Sequence, residues 1–285
     1  MLWDLGTTPD IGVNTPPGCK GKVDFLFAIS RGNNMMELQA QLISSFNPFI
    51  ESIKNLGGQF ADFDFHIMVV DGEQGWGSPY CDDKCEQNGL CDLTPAYPCG
   101  YEPSACDAAQ GAGTIYNAGR DAANKSCGLA GGKRFLDTTT WDLEKTFACI
   151  AQVGTAGQDD LGNSLTEAVS TQRDLCNKGF LRDDALLVVT HIMQGSSGPG
   201  IKGTPEIWAN VLLQAKGGDA DAIVMLGMNQ WDSLEACIDK DMPMCAMLTL
   251  FQHHVYADVD APSYGAAFQA TVDLIDIACS EFVPG

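Results

Sequence analysis

The sequence VDFLFAISRGNNM, residues 23–35, decides the fold. Its first seven residues are almost all apolar and hardly alternate with polar ones, which is typical of a strand buried on both faces of a parallel sheet. The polar loop SRGNN then leads into a helical pattern. A strand, a small polar loop and a helix N-terminus in this order form the metal or anion site of many α/β domains. This loop, however, contains no carboxylate.

Three more apolar runs bounded by turn residues predict further buried strands, over residues 63–70, 185–192 and 222–228. Helical periods lie between these runs, and a last helix is predicted over residues 264–279. Parallel neighbours need helical crossovers on both faces of the sheet. The alternation therefore predicts an α/β fold with a Rossmann-like, doubly wound, mostly parallel sheet.

Local signals place the ends and interruptions of the other helices. The pattern over residues 35–53 is helical, and Pro48 predicts a bend or a break in it. Thr204 is the expected N-cap of a helix that Gly217 or Gly218 ends. In NSLTEAVSTQRDLC, residues 163–176, Ser164 and Glu167 have the spacing of a capping box.

Residues 71–138, approximately, depart from this alternation. They hold half of the cysteines and show no helical or strand period, so we expect a cysteine-rich insertion in one domain of residues 21–285. Residues 1–20 are rich in Thr, Pro and Gly and are predicted to be an N-terminal tether or extension.

The twelve cysteines predict disulfides, because their spacing is irregular and no histidine lies near the main cluster, unlike a zinc site. Disulfides imply an oxidising compartment. We therefore expect a secreted, periplasmic or outer-surface protein, with an upstream lipid anchor as one option. Sequence alone leaves the pairing open among Cys19, Cys81, Cys85, Cys91, Cys99, Cys106, Cys127, Cys149, Cys176, Cys237, Cys245 and Cys279.

The charge balance argues against two classes of partner. The chain has 37 acidic and 16 basic side chains, a formal net charge of −21. Such a surface repels nucleic-acid phosphates and anionic lipid headgroups. No run of 18 apolar residues occurs, so no transmembrane segment is predicted.

Several stretches together resemble the von Willebrand factor type A (vWA) domain, most closely the cysteine-rich versions on myxobacterial surface lipoproteins. The resemblance extends over nearly the whole chain. It rests on VDFLFAISRGNNM, FHIMVVDGEQG, FACIAQVGTAGQDDLGNSLTEAV, FLRDDALLVVTHI, AKGGDADAIVMLG and ACSEFVPG, which occur in the order of the family.

The resemblance implies a metal-ion-dependent adhesion site in which a DxSxS loop, a second-loop Thr and a later Asp hold the ion. Here the matching positions are Ser30, Gly32, Asn34, Thr155 and His191. Mg²⁺ prefers carboxylate and other oxygen ligands, and both expected carboxylates are missing. We therefore predict a degenerate site and no cofactor, with a weak residual divalent cation as the exception. The neighbouring Asp159 and Asp160 are the residues that could restore some affinity.

The resulting functional expectation is a surface binding or adhesion domain that recognises a protein or glycan ligand and is not an enzyme. Two alternatives stay open: a structural subunit of an envelope assembly, with self-association, and a His-dependent metalloenzyme that uses His191. His253 and His254 are expected to be structural or surface residues, because successive side chains on a strand face opposite ways. Trp76 and Trp231 are candidate contact residues in loops.

Overall fold

The computed structural model describes residues 18–72, 103–155, 160–195 and 201–283. Four long strands match the four apolar runs closely: β1 (Lys22–Ile29), β2 (Asp64–Asp71), β6 (Leu186–Ile192) and β7 (Ile223–Asn229). Shorter strands are β3 (Tyr116–Asn117), β4 (Lys125–Ser126), β5 (Leu136–Asp137) and β8 (His253–Asp258).

Six strands form one sheet in the order β5-β2-β1-β6-β7-β8. All neighbours are parallel except β5, which pairs antiparallel with β2 at one edge. The strand order starts at the centre and grows outward in both directions, so the prediction of a mostly parallel, Rossmann-like α/β sheet is confirmed at that level. β3 and β4 form a separate antiparallel pair.

Seven α-helices occur in the described residues: α1 (Met36–Lys54), α2 (Leu143–Ala151), α3 (Leu161–Val169), α4 (Pro205–Ala215), α5 (Leu234–Ile238), α6 (Pro243–Leu248) and α7 (Gly265–Glu281). Short 3₁₀ helices cover Gly58–Phe60, Ala130–Gly132 and Ala220–Ala222. The longer helices cover both faces of the sheet and bury two apolar cores.

Alternate residues of β1 face the two cores. Phe25 and Phe27 face the core formed with α1, α2 and α7, whereas Leu26 and Ala28 face the core formed with α3, α4 and α6. Both sets are fully buried, which explains why the strand shows little alternation in sequence.

Two local predictions need correction. α1 is continuous through Pro48, so the break is wrong, whereas the bend stays a prediction. The capping box at Ser164 is wrong because α3 begins earlier: the Asp160 side chain caps it by accepting from the Asn163 amide, and Ser164 lies inside the helix. The Thr204 cap is confirmed, because its hydroxyl accepts a hydrogen bond from the Ile207 amide at the start of α4.

Four disulfides join the described cysteines: Cys19–Cys279, Cys106–Cys176, Cys127–Cys149 and Cys237–Cys245. They confirm the choice of disulfides over zinc for these eight residues and indicate a secreted or extracellular protein. Cys81, Cys85, Cys91 and Cys99 lie outside the described residues. In the described part of the chain no helix is both long and apolar enough to cross a membrane.

Candidate functional site

The carboxyl ends of β1 and β6 bring two of the sequence-predicted positions to one edge of the sheet. Ala28 and His191 are register partners, and the Ser30 amide donates to the Ile192 carbonyl at 2.9 Å. This edge is where ligands bind in open α/β sheets. Ser30 and His191, however, are completely buried, so neither offers a surface to a macromolecular ligand.

The first loop is closed by its own polar groups. The Ser30 hydroxyl accepts a hydrogen bond from the Gly32 amide at 3.0 Å, whereas Asn34 is exposed. The Gln39 side chain, from α1, joins this loop to the second one. It donates to the carbonyls of Ser30 and Gly154 at 3.0 and 2.9 Å and accepts from the Gly154 amide at 3.2 Å.

Thr155, the second-loop position, makes hydrogen bonds through both its hydroxyl and its carbonyl. Its hydroxyl donates to Asp121 at 2.5 Å and accepts from Arg120 Nε at 3.0 Å. Arg120 also donates to the Thr155 carbonyl at 2.7 Å and to the Asn33 side chain at 2.5 Å. A guanidinium therefore binds the hydroxyl that the family pattern assigns to the metal ion.

A second arginine lies inside the same edge. Arg31 is fully buried and donates to Asp71 Oδ2 at 3.1 Å and to the Ala118 carbonyl at 2.9 Å. Asp71 ends β2, so this ion pair links the β1 loop to the neighbouring strand. A buried positive charge at this position opposes a divalent cation beside it.

His191 is held as a neutral imidazole. Burial lowers its pKa to about 4, and its Nε2 accepts a hydrogen bond from the Asn229 side-chain amide at 3.0 Å. Gly227, its partner on β7, leaves room for the ring, since a Cβ there would lie 2.8 Å from His191 Cε1. Its Nδ1 finds no partner among the described residues. Without solvent access, the ring is poorly placed to take up an ion.

Asp160 is almost fully buried, and its carboxylate caps α3. Besides capping, it accepts a hydrogen bond from the Lys202 amide at 3.1 Å. Burial raises its pKa, although these amide donors act in the opposite direction. These bonds occupy both carboxylate oxygens. Asp159 lies outside the described residues.

A cavity of about 510 Å³ lies between β4, β5 and the start of α2. Its lining includes Trp141, whose surface is 92% exposed, and the exposed Lys125, Lys133 and Lys145. The Cys127–Cys149 disulfide forms part of the wall. Sequence reasoning missed Trp141. Of the two expected tryptophans, Trp231 packs in an apolar cluster with Leu234 and Tyr256, and Trp76 lies outside the described residues.

Only one of the three lysines that line this cavity forms an ion pair within the described part of the chain. Lys133 pairs with Asp137, and the Asp142 side chain accepts from the Lys145 amide at the start of α2. Lys125 and Lys145 form no ion pair with any described residue. Both also line an adjoining cavity of about 420 Å³ that includes Asp121 and Gln39. The two cavities thus connect Trp141 with the sheet edge.

Comparison with known proteins is uninformative about function. No family model matches the chain, and no curated protein is similar to it. The distantly similar solved structures include proximal thread matrix protein 1 from the mussel byssus, with 13% identity and a TM-score of 0.44, and the pilus adhesin SpaC from Lactobacillus rhamnosus GG, with 11% identity and a TM-score of 0.41. The alignments cover 92% and 95% of this chain but only 49% and 31% of those chains.

Proposed function

We propose that the chain is a non-catalytic recognition domain of the cell exterior, of the vWA type, that binds an acidic glycan without a metal ion. The observation that carries this proposal is the cavity beside Trp141, on a protein of net charge −21. Three lysines and two aspartates line it, and Lys125 and Lys145 form no ion pair with a described residue. Two ammonium groups facing one cavity are unusual on so acidic a chain, and they attract a carboxylate or sulfate group.

The remaining lining of the cavity suits a sugar. An exposed indole gives a flat apolar face with a polar N–H, which can pack against a sugar ring. Thr139 and Thr140 line the same cavity with hydroxyl groups. The adjoining cavity extends the surface past Lys125 and Lys145, so a ligand of several linked rings has room to contact both.

Two arginines at the carboxyl edge of the sheet support the proposal that binding needs no metal ion. Arg120 binds Thr155, and Arg31 is buried in the loop that would hold the ion. A divalent cation at this place would need carboxylate ligands to offset its dehydration. The nearby Asp71 and Asp121 instead bind Arg31 and Thr155.

The test is calorimetric titration of the disulfide-intact chain with oligosaccharides of galacturonic acid, and with neutral galactose oligosaccharides of the same length, in the presence of a chelator. We expect binding of the acidic series only. Trp141→Ala and Lys125→Gln/Lys145→Gln should each weaken it at least tenfold, because each removes one main contact.

The matched control is Leu175→Ala, which changes an apolar side chain that is 67% exposed and lines neither cavity. It should bind like the parent. Equal binding of neutral and acidic oligosaccharides would contradict the role of the lysines. No binding of either series, or full binding by Trp141→Ala, would contradict the proposed function.

A further inference from the structure

One histidine outside the candidate site lies between two carboxylates. His253, the first residue of β8, is 4% exposed, and its Nε2 lies 3.3 Å from Asp221 Oδ1 and 3.4 Å from Glu281 Oε2. Asp221 belongs to the 3₁₀ helix before β7, and Glu281 ends α7. Three separate elements therefore meet at the amino ends of β7 and β8, at the opposite edge of the sheet from the loops that follow β1 and β6.

The contact between His253 Nε2 and Asp221 Oδ1 has the geometry of a long hydrogen bond, and the two separations also match those between ligand atoms around a shared ion. A charge-assisted N–H···O bond to a carboxylate is usually about 2.7–2.9 Å long. Both observed separations are longer and nearly equal. In a tetrahedral Zn²⁺ site, bonds of about 2.0–2.1 Å place neighbouring ligand atoms about 3.3–3.4 Å apart.

The three ligand atoms all lie within 4.8 Å of one another, so one ion can reach each of them. His253 is buried, whereas the side chains of Asp221 and Glu281 are 40% and 47% exposed. This arrangement leaves the carboxylate side open to water, which can enter with the ion and occupy a fourth position.

The chemistry of the donors selects the class of ion. One imidazole nitrogen and two carboxylate oxygens suit Zn²⁺ and its first-row neighbours better than Mg²⁺ or Ca²⁺, which prefer all-oxygen sites. Two carboxylates also neutralise a dication, and a neutral imidazole adds no charge.

We propose that His253, Asp221 and Glu281 form a Zn²⁺ site that fastens the end of α7 to the sheet. The fourth ligand is water. This site differs from the candidate recognition surface in position and donors, so neither proposal depends on the other. Because binding to the folded state alone stabilises it, Zn²⁺ should raise the unfolding midpoint of the chain.

The experiment uses the full chain after chelator treatment, with its disulfides intact, and Zn²⁺ alone as the probe. Calorimetry should show one equivalent of Zn²⁺ bound, no binding of Mg²⁺ at the same concentration, and a rise in the thermal midpoint. His253→Gln should weaken Zn²⁺ binding at least tenfold and remove the thermal shift.

The matched control is His254→Gln, one residue away on the same strand, whose Nδ1 contacts the Phe251 carbonyl and which forms no ion pair within the described residues. It should bind Zn²⁺ like the parent. Glu281→Gln is the second variant, because an exposed residue at a helix end can change without unfolding the chain, and it should also lose at least tenfold.

Two results would overturn the proposal. The first is a parent chain that binds no Zn²⁺, which would leave His253 as an imidazole hydrogen-bonded to one of its acidic neighbours. The second is Zn²⁺ binding that survives in both His253→Gln and Glu281→Gln, which would place the ion elsewhere.

Discussion

Arg31 changes the chemistry of the sheet edge more than the missing carboxylates do. Its guanidinium is fully buried and bonded to Asp71 and to the Ala118 carbonyl, 87 residues away in sequence. A buried charge is stable only when it is paired and hydrogen-bonded. The loop is therefore an internal cross-link, a role that its polar sequence SRGNN does not predict.

A second buried charge, Asp24 on β1, lies among Arg182, His66 and Asp64. Asp24 accepts hydrogen bonds from the Arg182 amide at 2.7 Å and from its Nε at 2.8 Å. Burial nevertheless raises the pKa of Asp24 from 3.8 to about 7, while Arg182 and Lys216 act to lower it. Burial also lowers the pKa of His66.

The raised pKa of Asp24 predicts an unusual pH dependence. Unfolded Asp24 loses its proton near pH 4 and folded Asp24 near pH 7, so its contribution to stability is complete below pH 4 and declines as the pH rises to 7. Each unit of pKa difference corresponds to about 1.4 kcal/mol. We expect the difference in unfolding free energy between the parent and Asp24→Asn to decrease from pH 4.5 to 7.5 in urea titrations.

Subtracting the variant cancels the contributions of carboxylates that lie far from Asp24, because both proteins share them. A difference that stays constant from pH 4.5 to 7.5 would mean that Arg182 keeps Asp24 ionised in the folded chain.

Among the elements, strands that are buried on both faces are the easiest to predict from the sequence. The apolar runs predict β1, β2, β6 and β7 because both faces of these strands are apolar. β8 was missed because HHVYAD mixes polar and apolar residues on a half-buried edge strand. β5 is only two residues long, and its pairing with β2 depends on a contact about 70 residues away in sequence, which no local pattern records.

Only part of the candidate site is predictable from the sequence. The α/β alternation predicts that the ends of β1 and β6 meet at one edge. It does not predict the hydrogen bonds of Arg120 and Gln39, because their partners are far away in sequence. Of these two residues, only Gln39 is recognisable from the sequence as a buried polar residue. It lies on the apolar face of α1, four residues after Met35 and three before Leu42.

Gln39→Leu is expected to destabilise the chain by about 2–3 kcal/mol, because it removes three buried hydrogen bonds, one to the Ser30 carbonyl and two to the backbone of Gly154. Chemical denaturation monitored by circular dichroism measures the change. Gln41→Leu is the control: this half-buried side chain makes one hydrogen bond, to the Ala261 carbonyl, and should cost less than about 1 kcal/mol. Equal costs would mean that Gln39 does not tie the two loops together.

Across the whole molecule, the disulfides close very different lengths of chain. Cys19–Cys279 spans 260 residues, whereas Cys237–Cys245 spans 8. Cys19 is buried in the core, although the sequence places it in the N-terminal extension, and its amide donates to the Cys279 carbonyl. The beginning and the end of the described chain therefore lie side by side.

The chain-entropy model predicts unequal effects for these two bonds. Replacing Cys19 and Cys279 with Ser should cost about 5 kcal/mol, against about 2–3 kcal/mol for Cys237 and Cys245, because a longer closed loop restricts the unfolded chain more. Guanidinium unfolding of the two double variants provides the comparison. A larger loss for the short loop would show that strain or packing outweighs chain entropy here.

The Cys19–Cys279 bond also has a mechanical consequence. Gly18 and Phe282 are joined by a backbone hydrogen bond of 2.7 Å beside it. Tension applied to the chain just outside these two residues would pass through a single covalent bond and leave the sheet between them unloaded. A domain held at both flanks under flow or shear would thus keep its sheet folded for as long as that bond stays oxidised.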